Sequence, residues 1–459
     1  MNQKGISTVQ SVDERESAVS GDSISRKQSR RSLRASTIGQ LLEWYEWSSY
    51  AVFAPFIAAA MFNQSDPASA LLSTLAVFAV GFLMRPLGGV VFGALSDRKG
   101  RKKVMITTMV MMALASVAIG LMPSYDTIGL GASIGLLLIR MIQGFAHGGE
   151  SATANSYIPE IAPREKRGQW GSLVFVAIFG GSVIAYVLGG IISLVLAESQ
   201  VAEWGWRIPF ILGAFGAVFA LYLRRGMHES EVFDETNDAT AVEPVAVSTP
   251  VESGVAGPGA KARRPRPRWV SILLIIGMVS GVTAAHYTWS SYVSTYAITQ
   301  QGMSIQGAYW VTVCAQVIGL VALPLWGRLS DRVGRKPVIY FFAIAMGVLQ
   351  IPLMAMITDE PWTLLVASTI ALVIVAASGS LLSSIMSEVF PTSQRTQSIG
   401  LAYSVSVAGF GGTAPYVYQL FVSIDLAWLS GALVVVLCLL TLIAMNLLPE
   451  TKGVDLRTV

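Results

Sequence analysis

Apolar residues in this chain keep neither the alternation of a strand nor the single stripe of a surface helix. They come in continuous blocks of roughly 18–28 residues, each long enough as a helix to cross the ~30 Å of a bilayer's hydrocarbon. Inside lipid, a spanning segment must satisfy its own backbone hydrogen bonds, which such blocks can do only as helices. The blocks predict twelve spans, at 36–61, 71–95, 104–122, 129–156, 170–196, 208–224, 269–298, 308–329, 338–357, 362–387, 398–422 and 427–448. Only 13% of residues are charged, about half the share in soluble proteins, which fits a helical membrane interior.

The polar remainder organises these spans. Residues 1–35 contain Asp13, Glu14, Glu16 and Asp22 and no apolar core, so they predict a disordered tail rather than a targeting segment. The longest connection, 227–268, begins acidic, turns Pro/Gly/Ala-rich and closes on KARRPRPR, as a linker would, with its basic end beside anionic headgroups. Of 32 Lys and Arg, 29 fall in the tails or on the N-terminal side of the spans. The positive-inside rule then places both termini in the cytoplasm. The basic pI is explained by this asymmetry and does not suggest nucleic acid. Cys314 and Cys438 lie within predicted helices and show no metal spacing, so no metal or cofactor is expected.

The linker divides the spans six and six, and two patterns repeat across it. GALSDRKGRKK at 93–103 returns as GRLSDRVGRKP at 327–337 with eight of eleven positions identical. Glu160, Pro163 and Arg167 return 228 residues later as Glu388, Pro391 and Arg395. The chain therefore reads as an internal duplication: a six-helix bundle at 36–226, the linker at 227–268, a second bundle at 269–450 and a cytoplasmic tail at 451–459. Six-plus-six halves with a site between them are a transporter design.

The repeated loop resembles the motif of the major facilitator superfamily, and LPETKG at 448–453 is similar to that family's exit from its last span. GQLLEWYEW (39–47), GFLMRPLGG (81–89), RMIQGFAHGGE (140–150) and EWGWRIPFILG (203–213) resemble its metabolite:H+ symporter branch. That branch includes carriers of α-ketoglutarate, citrate, shikimate, proline and betaine. It usually has Asp where this chain has Glu46. The resemblance implies an all-α membrane fold of twelve helices in two pseudo-symmetric bundles, and a cytoplasmic gate built from the loops. The gate residues would be Gly93, Asp97, Arg98, Gly100 and Arg101, with Gly327, Asp331, Arg332, Gly334 and Arg335. The glycines near the helix ends permit close helix approach. The aspartates, at dipole-disfavoured C-terminal ends, call for Arg101 or Arg335, or a helix N-terminus from the other half.

Charges inside the spans mark the expected site. Glu43, Glu46 and Tyr50 share one face of span 1, and Arg140, Gln143, His147 and Glu150 form a stripe down span 4. Arg85 lies at similar depth in span 2. Each charge would cost roughly 2.5–3.5 kcal/mol unpaired at mid-membrane, so the five should face a central cavity and pair with one another. Three acids against two guanidiniums leave one carboxyl group over, and burial favours its protonated form. Glu43 or Glu46 is the expected proton carrier; Glu150, nearer the cytoplasmic edge and more hydrated, and His147 would assist. Arg85 or Arg140 would hold a substrate carboxylate through paired hydrogen bonds. The second half offers neutral donors and aromatics to shape the substrate: His286, Tyr287 and Tyr296, with Tyr403, Ser380, Ser383 and Ser384. Arg207 is expected to pair with Glu203 at the outer surface.

No phosphate-binding loop, nucleophile motif or metal set is present, so neither a pump driven by ATP nor an enzyme is expected. The leading expectation is a monomeric carrier in a bacterial cell membrane, taking up a small organic acid such as α-ketoglutarate together with H+. A proton symporter of proline or betaine is the alternative, with Trp44, Trp47 or Trp289 as an aromatic cage. The absence of a long coiled-coil tail after 459 weighs against it. A drug/H+ exporter and a sensor that has lost transport rank lower.

Overall fold

The computed structural model describes residues 33–225 apart from 35, 64 and 66, residues 267–456, and 459; the side chains of 67, 68, 97, 101, 223–225 and 393 are not described. The expectations for the N-terminal tail up to 32 and for the linker at 226–266 lie outside the described residues.

Among the described residues, twelve helical rods follow the predicted blocks to within a few residues. In chain order they are α1 (36–61), α2 (Pro67–Leu83 continued by Arg85–Lys99), α3 (Arg101–Gly120), α4 (Leu130–Glu160), α5 (Arg167–Val195) and α6 (Ile208–Arg225). The second set is α7 (Arg268–Gln301), α8 (Ile305–Val333), α9 (Arg335–Ala355), α10 (Pro361–Val389), α11 (395–423) and α12 (Trp428–Leu447). Among the described residues, ten are long and apolar enough to cross a bilayer, all but α1 and α11. Those two are interrupted for local reasons. Helix α1 turns at Phe53, just before Pro55, and carries Gln40, Glu43 and Glu46 in its first half. Helix α11 contains a π-helical turn at Ala408–Gly412 followed by Pro415. Such turns leave backbone groups open and often mark working regions. Helix α7 has one too, at Thr288–Tyr292.

The molecule is inverted relative to a soluble protein. Leu114, Val195 and Phe215 lie exposed on the periphery, as a hydrocarbon solvent allows, while Arg85, Arg140, Arg335 and Arg395 are fully buried. The halves meet along α2 against α11 and α5 against α8. Small residues allow this. A Cβ on Gly327 would lie 2.6 Å from the Gly168 carbonyl, and one on Gly93 would lie 3.2 Å from Gln397 Cα. In both repeated loops the glycine before the next helix takes positive φ, 94° at Gly100 and 108° at Gly334, a conformation that other residues resist.

Candidate functional site

Helix α1 separates two small cavities, each about 10 Å³, room for roughly one water. One face of α1 presents Trp44, Trp47 and Ser48 to a cavity between the halves, closed by Ser182 of α5 and by His286, Tyr287, Ser290 and Ser291 of α7. The other face turns Glu43 and Glu46 inward to a cavity within the first bundle, where Glu150 of α4 meets them beside Met109 and Met112 of α3. The sequence reading put acids and bases together in one central cavity. That is corrected: helical spacing gives α1 two polar faces, and the acids occupy the one turned away from the seam.

The pairing differs from expectation as well. Glu43 contacts His147 Nδ1 and accepts from Gln40 Nε2 at 2.8 Å. Glu150 accepts from Thr108 Oγ1 at 3.0 Å and from Gln40 at 3.4 Å, and it is buried rather than hydrated. Glu46 lies beside Ser116 and in the field of Arg140, and its Oε2 has no partner. Neither Arg85 nor Arg140 forms an ion pair among the described residues; both are held by rings. The Arg85 guanidinium carbon sits 3.6 Å from the Phe82 centroid and 4.3 Å from Trp47. That of Arg140 sits 4.0 Å from Trp47 and 4.2 Å from Tyr50. Trp47 is thus shared by two cations, an attraction worth about 2 kcal/mol each when desolvated. Every side-chain nitrogen of Arg85, and Nε and Nη2 of Arg140, lack a hydrogen-bond partner. Arg140 Nη1 donates to Gln143 Oε1 (2.7 Å), and Gln143 Nε2 donates to Ser116 Oγ (3.1 Å). A polar chain therefore joins Arg140 to the hydroxyl beside Glu46.

The remaining expected residues divide. Tyr287 and Tyr403 flank Arg85 electrostatically, and Tyr287 packs edge-on against Phe82. His286 lines the central cavity between Phe175 and Phe179. Tyr50 donates to the Thr74 carbonyl and lies under Arg140. Tyr296 does not reach the cavity: it accepts from Gln301 near the far end of α7. Ser383 and Ser384 are also elsewhere, donating to the Asn155 and Arg167 carbonyls at the seam. Trp289 is tied to Gln350 within the second bundle and forms no cage with Trp44 and Trp47. Arg207 turns from Glu203 to the Gly120 and Met122 carbonyls and stacks on Trp206, because those carbonyls end α3 unsatisfied.

Both ends of the seam are crossed. At the end bearing the repeated loops, Asp331 accepts from the Gly168 and Gln169 amides (2.8 and 2.9 Å) and from Arg335 (2.8 Å). Beside it, Arg395 pairs with Glu160 (3.1 Å) and Arg167 reaches Glu388 (3.4 Å), each across the halves. Arg98 and Arg332 are exposed around this lock, and the side chains of Asp97 and Arg101 are not among the described ones. At the opposite end, Tyr309 donates to the Val52 carbonyl and Tyr186 meets Ser294. The sequence showed Glu160/Glu388 and Arg167/Arg395 as a repeat. What it hid is that the copies exchange partners, since spacing reports duplication and only packing reports exchange.

The family model described as Major Facilitator Superfamily matches residues 37–405 and 301–458. The chain belongs to that superfamily. It is 32% identical to the alpha-ketoglutarate permease of Escherichia coli (strain K12), over 88% of this chain and 90% of that protein. It is 34% identical to the ectoine/proline transporter ProP of Corynebacterium glutamicum, over 86% and 78%. Among solved structures, it superimposes on the proton:xylose symporter XylE with a TM-score of 0.73 at 19% identity, covering 94% of this chain and 98% of that one. This superfamily member is a multi-pass membrane transporter, not an enzyme, with twelve helices in two bundles.

Proposed function

We propose that the chain is a proton-coupled symporter that takes up a small organic acid, α-ketoglutarate or a related carboxylate, by alternating access. The observation that carries this is the polarity of the central cavity. Around it stand the indole N–H groups of Trp44 and Trp47, without partners, and, one ring away, the Arg85 guanidinium beside Tyr287 and the Arg140 guanidinium with Nε and Nη2 still open. Indole and guanidinium can only donate. A ligand rich in acceptors and negatively charged satisfies them, whereas a quaternary ammonium would rest on ring faces alone, with Trp289 turned to Gln350 and the acids behind α1. The relative named for alpha-ketoglutarate agrees with this reading; those named for proline, ectoine or betaine keep the zwitterion reading second.

Glu46 is the proton carrier in this scheme: its Oε2 is buried without a hydrogen-bond partner beside the small cavity, whereas Glu43 is held by His147 and Gln40, and Glu150 by Thr108 and Gln40. Glu43 and His147 hold each other, and Glu150 relays between Glu46 and the loop end. Anion binding at Arg140 is felt at Glu46 through Gln143 and Ser116. The loops at 93–103 and 327–337 form the cytoplasmic gate of a monomer in the bacterial plasma membrane, with both termini inside, as the distribution of 29 basic residues indicates. Residues 36–226 and 269–450 are the halves that rock. The test is a substrate panel in proteoliposomes with an imposed pH gradient. One dicarboxylate should accumulate and compete with its analogues, and betaine should not. Accumulation of betaine in its place overturns the proposal.

A further inference from the structure

Past the end of α12 the chain does not leave the molecule. Glu450 caps the N-terminus of α9, its carboxylate accepting from the backbone amides of Arg335 (2.9 Å) and Lys336 (3.0 Å). Thr451 donates to Glu388 (2.7 Å), and Lys452 donates to the Arg332 carbonyl (2.6 Å). The next residues cross the seam. The Gly453 carbonyl accepts from Arg164 Nε (2.5 Å) and the Val454 carbonyl from Arg167 Nη1 (2.8 Å), both of the first half. The Leu456 carbonyl then accepts from Thr392 (2.9 Å) and Arg395 (2.8 Å) of the second half, with its side chain buried.

We propose that residues 450–456 are a strap that holds the cytoplasmic gate shut and must release the first half before that end can open. Both ends of the strap are fixed to the second bundle, by Glu450 and Thr451 on one side and Leu456 on the other. Its middle, Gly453 and Val454, is held by Arg164 and Arg167 of the first bundle. Separation of the halves therefore breaks the Arg164 and Arg167 bonds together with Arg167–Glu388 and Glu160–Arg395. The strap couples to this lock because Arg167 and Arg395 each serve a carboxylate across the seam and a strap carbonyl at once. Charge-assisted bonds of this kind are among the stronger ones, so their loss should shift the equilibrium measurably. The inference is independent of which substrate is carried.

The test is thiol labelling of the full chain in membrane vesicles, with Cys314 and Cys438 replaced by alanine. Ser384→Cys reports on the gate seam, since Ser384 is buried there against the Arg167 carbonyl. Ser294→Cys, facing Tyr186, reports on the opposite seam. Deleting residues 453–459 should raise the N-ethylmaleimide labelling rate at Ser384→Cys about fivefold and leave that at Ser294→Cys equal or lower. Arg164→Ala, a change at an exposed residue that removes one strap bond, should raise the first rate about twofold. Unchanged labelling at Ser384→Cys overturns the proposal, and so does a rise at both positions, which would mean a loosened fold. Should the deleted chain fail to reach the membrane, Arg164→Ala decides by the same criteria.

Discussion

The two halves of this transporter were built from one plan and now bury different side chains. Both keep the loop with its glycine at positive φ, and both keep a Glu and an Arg that reach across the seam. Within the membrane they diverge. The first bundle buries Glu43, Glu46, Arg85, Arg140 and Glu150; the second presents His286, Tyr287, Trp289 and Tyr403 at comparable depth and no Asp, Glu, Lys or Arg. Duplication preserved in pairs the Glu and Arg side chains that cross the seam. Charge, which is costly in hydrocarbon, was kept in one copy only, where it can be arranged around a single helix.

The comparison breaks most sharply at Arg140. Arg140→Lys retains the charge but loses the fork that bonds Gln143 and stacks on Trp47 and Tyr50. Initial uptake in proteoliposomes should fall on the order of 100-fold, the scale expected when one partner of a buried charge pair is mispositioned. Near-normal uptake would remove the first half's claim to the anion. Next in size is the seam. Gly327→Leu drives a side chain into the Gly168 carbonyl, so that the gate cannot close around Asp331. Labelling at Ser384→Cys should rise about tenfold and net uptake should fall in proportion.

In the second bundle His286→Phe should raise KM about threefold to tenfold, by loss of a single neutral hydrogen bond, and leave the number of protons per substrate unchanged. A change in that number would mean that the second bundle handles charge after all. The smallest effect is at Glu450. Burial pushes its carboxyl up, but the amides of Arg335, Lys336, Lys452 and Thr451 outweigh it and hold the group below its ordinary 4.5. A depressed carboxyl stabilises the fold at pH above 4.5, and this contribution is lost as pH falls through the depressed value. The melting temperature of Glu450→Gln in detergent should be lower than that of the parent at pH 7, and the gap should narrow below 4.5.

Much of this was legible in the sequence. Block length fixed the twelve helices because the bilayer imposes one length on all of them, and the repeats at 93–103 and 327–337 located the end of the seam that Asp331 and two Glu–Arg pairs cross. Which side of α1 each group occupies was not legible. Glu43 and Trp44 are neighbours in sequence, and only the packing of α3 and α4 on one face and α7 on the other tells their cavities apart. Tyr296 and Ser384 were misassigned for a related reason: polarity marks a residue as facing protein but does not give the depth at which it does so. Arg207 was misassigned because a charge is sought first by a nearby acid in sequence, while in space the open carbonyls at the end of α3 were closer.

The central claim is that cargo and proton bind on opposite faces of α1. Its most direct test is uptake of α-ketoglutarate by proteoliposomes containing Glu46→Gln, with external pH recorded and counterflow measured on the same preparation. The account predicts that counterflow persists while gradient-driven accumulation and external alkalinisation both disappear. Accumulation with alkalinisation at the parent rate would contradict it.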